Sequence, residues 1–143
     1  MAENLRAKLD NPQSGVNMLM GGNGFIHSAL TSWTVGDWVH NNGKDQGGFL
    51  KRLVPPPPEI WAIRVTFPQP QVRIFGRFAE QDTFIALDMH TRGFLGKKGS
   101  SQWRAASSKC ATDWATLFPN QLPHQGTSAA DYISENYDEF ILP

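Results

Sequence analysis

The chain reads as an α+β domain, a small antiparallel β-sheet in a meander packed with helices. Two observations predict this. Between Glu59 and His90, three segments alternate apolar and polar residues and are joined by short polar or Pro-containing connections. Beyond them, from Trp103 to Leu117, apolar residues recur at helical spacing. A length of 143 residues suits one domain spanning 1-143, large enough to bury a core.

The first strand, Ile60 to Phe67, places Trp61, Ile63, Val65 and Phe67 on one face and Arg64 and Thr66 on the other. In the second, Val72 to Phe78, the apolar Val72, Ile74 and Phe78 stand opposite Arg73 and Arg77. The third, Thr83 to His90, sets Ile85, Leu87 and Met89 against Asp88 and His90. The connections Pro68-Gln69-Pro70 and Glu80-Gln81-Asp82 are too short for a crossover, so the strands pair antiparallel. The polar face is expected to be exposed. It gathers Arg64, Arg73, Arg77 and His90 into an anion-handling surface on a rigid sheet.

The other elements follow from local signals. Met1 to Asp10 suits a short helix, with Leu5 and Leu9 one turn apart, broken by Asn11-Pro12-Gln13-Ser14-Gly15. Gly21-Gly22-Asn23-Gly24 is a turn without the Lys-Ser/Thr of a phosphate-binding loop. Phe25 to His40 reads as a core-packing helix through Ile26, Leu30 and Trp33, and Asn41-Asn42-Gly43 and Gly47-Gly48 interrupt the chain after it. Pro55-Pro56-Pro57-Pro58 is extended, a stiff connector into the first strand. Thr91 to Gly99 is a glycine-rich basic loop. Ser100 or Ser101 then caps a helix from Gln102 to about Phe118, with Trp103, Ala106, Cys110, Trp114 and Leu117 as its apolar stripe. Pro119 stops it, and Thr127-Ser128 can start a last helix from Ala129 to about Asn136.

Composition narrows the function classes. Five Trp and nine Phe argue against disorder. No apolar run is long enough to cross a bilayer, and the N-terminus lacks a signal-peptide pattern, so a cytoplasmic location off the membrane is expected. Cys110 is the single cysteine, which excludes an internal disulfide. Its place in the helical stripe makes it a core residue and not a nucleophile. His27, His40 and His124 lack metal-ligand spacing, and neither a metal nor another cofactor is expected. Net charge is zero, but it is unevenly spread. No acid falls between Asp88 and Asp113, where Arg92, Lys97, Lys98, Arg104 and Lys109 lie. No base follows Lys109, where Asp113, Asp131, Glu135, Asp138 and Glu139 lie. A basic block thus continues the arginine-bearing strands, and an acidic tail follows it.

The candidate chemistry sits in that block. His90 ends the third strand beside Arg92, and an imidazole next to fixed cations suits acid–base work on a phosphate. Guanidinium forks on Arg64, Arg73 and Arg77 match phosphate oxygens, and Lys97 and Lys98 between Gly96 and Gly99 can follow a nucleic-acid backbone. The bland alternative is a set of surface cations pairing with Asp88, Glu59 or Glu80.

Lys51-Arg52-Leu53, then Glu59-Ile60-Trp61-Ala62-Ile63-Arg64-Val65, Val72-Arg73-Ile74-Phe75, Phe84-Ile85-Ala86-Leu87 and a basic loop resemble the RelE/HigB-like toxins of type II toxin–antitoxin systems. The resemblance covers roughly residues 50-117, leaving an N-terminal helical extension and an acidic C-terminal tail. It implies a small α+β fold that cleaves ribosome-bound mRNA without a metal, the ribose 2′-hydroxyl attacking the adjacent phosphate. It implies catalytic roles for His90, Arg73 and Arg92, substrate binding by Arg64, Lys97 and Lys98, and an antitoxin protein as partner; Arg77 joins the substrate-binding set from its place on the same strand face. The alternative from the residues is a non-catalytic nucleic-acid or protein-binding module on the same scaffold, in a phage or mobile-element setting. A third reading pairs the basic block with the acidic tail of a neighbouring copy.

Overall fold

Among the described residues, four strands form one antiparallel sheet in chain order, β1 (Leu50–Arg52), β2 (Trp61–Val65), β3 (Val72–Glu80) and β4 (Thr83–Thr91). They are followed by a one-turn helix α1 (Arg92–Leu95), a long helix α2 (Ser101–Leu117) and a 3-10 turn at Ala129–Asp131. The computed structural model describes residues 50–53, 59–65 and 69–134. The helices expected at Met1 to Asp10 and Phe25 to His40, the Gly21 to Gly24 turn, the four-proline connector and the acidic end from Glu135 lie outside the described residues.

The meander is the expected one, extended by an edge strand. Leu50, Lys51 and Arg52 pair with Ile63, Ala62 and Trp61. Three residues around a lysine carry too little periodicity to announce a strand. The hairpin from β3 to β4 is longer than its apolar core suggests and holds two irregularities. Leu87 is an extra residue in β4 opposite the Phe75–Gly76 step, and Ala79 is an extra residue in β3 before Glu80. Gly76 sits where the strands close up across the first of these. A Cβ there would overlap the Ile85 carbonyl oxygen and the Phe84 ring.

Both faces of the sheet are buried, which corrects the expectation of an exposed arginine face. On one face Trp61, Ile63, Val65, Val72, Ile74 and Met89 are buried, and Tyr132 packs on Trp61 and Phe78 at ring separations of 4.6 and 5.2 Å. The arginine-bearing face is covered by α2, whose Ala106, Cys110 and Trp114 pack with Ala62, Phe75, Leu87 and Leu95. The physical reason lies in the sequence. That face also carries Ala62, Phe75 and Leu87, and α2 has an apolar stripe to bury, at roughly 1.5–3 kcal/mol for each large side chain. Arg73 and Arg77 are accordingly only 6% and 7% exposed.

Helix α2 starts where its cap dictates. Ser100 Oγ accepts from the Trp103 amide at 3.4 Å and donates to the Leu95 carbonyl at 2.7 Å. Its stripe is shorter than expected, since Leu117 is 48% exposed. Phe118, packed on Trp114 at 4.6 Å, takes the place that Leu117 would fill. The expected basic loop contains α1, capped by Thr91 Oγ1 accepting from the Phe94 amide and anchored by the buried Leu95. The segment after α2 is tied back to the sheet. Arg52, buried, pairs with Glu59, whose other carboxylate oxygen accepts from the Tyr132 hydroxyl at 2.5 Å. At the β3–β4 turn Asp82, with φ 64°, accepts from the Ser134 amide and hydroxyl at 2.8 and 2.5 Å.

Candidate functional site

Helix α2 covers β3 and β4 but stands beside β2 and β1, and a cleft of about 640 Å³ opens between them. Register explains what the cleft holds. Arg64 on β2 is the direct neighbour of Arg73 on β3, which is the direct neighbour of His90 on β4. One step down the same face come Lys51, Ala62 and Phe75, again side by side. The helix wall repeats at i, i+3, i+4 and i+7, with Arg104, Ser107, Ser108 and Ala111 facing the cleft.

Among the described residues, six basic side chains line the cleft and no acid does: Lys51, Arg64, Arg73, Arg92, Lys98 and Arg104. The apolar part of the lining is Leu53, Trp103 and Ala111, with Ile60 and Ala62 at its edge almost fully buried in the core. Several cations are held in place by the fold. Arg73 donates to the Val72 carbonyl and to Gln71 Oε1, each at 3.2 Å. Arg104 donates to the Gly99 carbonyl at 2.8 Å. Arg92 donates to the Gly96 carbonyl and lies over the Trp103 ring at 5.7 Å, while the Trp103 Nε1 donates to that same carbonyl at 3.2 Å. Burial, and after it the charges of Arg64 and Arg92, pull Arg73 down to about 10. The charges of Arg64 and Arg92 therefore act against that of Arg73.

The remaining candidates go elsewhere. His90 is not in the cleft lining; its Nε2 lies 3.3 Å from Asp88 Oδ2, and its ring stacks with Phe94 at 5.4 Å. Asp88 is also 3.6 Å from Lys109 Nζ, which in turn pairs with Asp113 at 2.6 Å. Arg77 lies over the Trp114 ring at 5.6 Å, four residues along β3 from Arg73, hence roughly 13 Å away at strand rise. Lys97 is exposed and outside the lining, whereas its neighbour Lys98 is inside it. Two contributors went unrecognised as site residues, Lys51 and Arg104. The signal that could have found Arg104 is the polar repeat of Arg104, Ser107 and Ser108 beside the apolar stripe of α2.

Cys110 is buried, and burial pushes its thiol up to about 12, consistent with a core role. His124 Nε2 donates to the Asp131 carbonyl at 2.6 Å. Among the described residues no cluster of three or more His, Cys, Asp or Glu is arranged to hold a metal. None of their helices is long and apolar enough to cross a membrane. No family model, no curated protein and no solved structure matches this chain in the comparisons made.

Proposed function

We propose that this domain binds single-stranded nucleic acid, RNA in the first instance, through the cleft between the sheet and α2. The observation that carries the reading is the described lining itself: six cations and no acid, beside Trp103, Leu53 and Ala111. Cations that track phosphates, interleaved with surfaces on which bases lie, are the physical recipe for single-strand binding. The zero net charge of the chain does not oppose this, because none of the described acids lines the cleft.

The test is anisotropy titration of a labelled twelve-nucleotide RNA over a range of salt. With up to six phosphate contacts, the slope of log K against log salt is expected to approach about −4. Arg64→Gln and Arg104→Gln each lose a charged contact and should weaken binding roughly tenfold or more. Lys97→Ala, outside the lining, should change it less than about twofold. A slope near zero, or a Lys97→Ala effect equal to the arginine effects, would overturn the reading.

A second reading is cleavage in the RelE/HigB manner, with an antitoxin as partner. It is favoured by the transverse row of Arg64, Arg73 and His90, and by Asp88 beside the imidazole. Here His90 would move the proton and Arg73 would stabilise the charge developing on phosphate. Its signature is a 2′,3′-cyclic phosphate product from ribosome-bound mRNA that disappears in His90→Ala.

A further inference from the structure

Beside the cleft, α1 carries an aromatic ring on the surface. Among the described residues the large apolar side chains left exposed are Phe94, Leu117 and Leu122, and Phe94, 60% exposed, is the aromatic one. A single exposed apolar residue is ordinary on a protein surface. What sets Phe94 apart is its support. Its ring stacks on the His90 imidazole at 5.4 Å, with 17° between the planes. His90 is held in turn by a T-shaped contact with Phe75 at 5.8 Å and by Asp88 at 3.3 Å. The turn itself is fixed by its Thr91 cap and by Leu95, buried in the core. One face of the Phe94 ring thus rests on a fixed layer, which leaves the opposite face to solvent.

The ring stands at the mouth of the cleft. Arg92 lines the cleft, and Phe94 leaves the opposite side of the same helical turn, its Cα about 5.5 Å away by helix geometry. Gly93 lies between them. Nothing stands within 4 Å of where its Cβ would be, so the way from Arg92 to Phe94 crosses open surface. Neither α1 nor the segment from it to Ser100 contains an acid. Inside the cleft Trp103 offers a base less, because it is half-buried, packs on Phe75 at 5.6 Å and lies under Arg92. A strand leaving the cleft past Arg92 therefore meets an exposed, pre-positioned aromatic face within the span of one nucleotide.

We propose that Phe94 is a stacking platform for a base of single-stranded RNA leaving the cleft, with the His90 ring as its backing. This deepens the nucleic-acid reading and rests on it for the ligand. The contact is made through a π-face, so it accepts any base and adds affinity without adding charge. His90 is here a positioning residue that keeps the Phe94 ring in place, and neither an acid nor a base.

The experiment is anisotropy titration of the full chain with two labelled probes over a range of salt. One is a twelve-nucleotide RNA, the other an abasic phosphodiester strand of the same length. Phe94→Ala is expected to weaken binding of the RNA at least about fivefold, the loss of one base–aromatic stack, and to leave the abasic strand within about twofold of wild type. The slope of log K against log salt should stay as in wild type, since no phosphate contact is lost. Phe94→Leu should behave as Phe94→Ala does, and it is the second truncation should Phe94→Ala fail to fold. Phe94→Trp should keep or raise the affinity, because the contact needs a ring and not apolar bulk. RNA binding by the wild type that Phe94→Ala leaves unchanged would overturn the platform and leave the nucleic-acid reading standing. So would equal loss on both probes, which would mean that the variant disturbs the cleft, or a Phe94→Leu protein that binds like wild type. Self-association of the wild type that Phe94→Ala abolishes, with RNA affinity unchanged, would overturn the platform and assign the ring to a second copy of the chain. A wild type that binds neither probe would overturn both readings.

Discussion

Replacing Arg73 with methionine should make the unliganded protein more stable and abolish tight binding in the cleft. Arg73 is nearly buried, and burial together with Arg64 and Arg92 lowers it well below the usual guanidinium range, to about 10. At about 1.4 kcal/mol per pK unit, keeping its charge in the empty fold costs on the order of 3 kcal/mol. Methionine retains most of the stem's packing. It loses the bonds to the Val72 carbonyl and Gln71 Oε1, each contributing about 1 kcal/mol. The net expectation is a gain of roughly 1 kcal/mol, a few degrees in Tm for a domain of this size. The assay is urea denaturation in low salt without phosphate. The pH dependence follows from the sign of the shift. The folded state holds this proton less tightly than the unfolded chain, so stability rises with pH only above about 10, and the penalty is complete below it. The gap between wild type and variant should thus be flat from about pH 6 to 9. It should narrow when phosphate is added, because only the wild type gains from binding it. A variant less stable than wild type by more than about 1 kcal/mol would mean that the fold already compensates Arg73, and the argument for an anion site would fall.

Glu59 holds Arg52 and Tyr132 together in the buried joint behind β2. Glu59→Gln should cost roughly 3 kcal/mol in urea denaturation by stranding Arg52, and Tyr132→Phe about 1–2 kcal/mol, with losses below about 0.5 kcal/mol counting against a structural role for the joint. Cys110, buried and pushed up to about 12, should resist alkylation at neutral pH and react only through unfolding. Mass spectrometry after iodoacetamide treatment checks this, and rapid labelling of the native protein would contradict the packing of α2.

Much of the fold is legible locally. Period-two alternation from Trp61 to His90 and two short connections suffice for the antiparallel order of β2, β3 and β4. Ser100 and the spacing of Ala106, Cys110 and Trp114 suffice for α2 to within a residue of its observed start. These signals survive in one dimension because each depends on neighbours within a turn or a hairpin.

What the arginines do depends on packing between distant segments. Alternation separates two faces but does not say which one a helix will cover. Here Ala62, Phe75 and Leu87 made the arginine face attractive to α2, so Arg73 is buried at the cleft edge while Arg77 is drawn under Trp114. His90 shares the row of Arg64 and Arg73, yet its ring is taken up by Asp88 and Phe94 outside the cleft lining. Lys51 and Arg104 enter from an edge strand and a helix wall far apart in sequence. Strand identity and helix caps are settled by local backbone and side-chain preferences, and so are written in the sequence. The offset of α2 from β1 and β2, and with it the cleft, is settled by apolar burial across the whole sheet, which only the tertiary structure resolves.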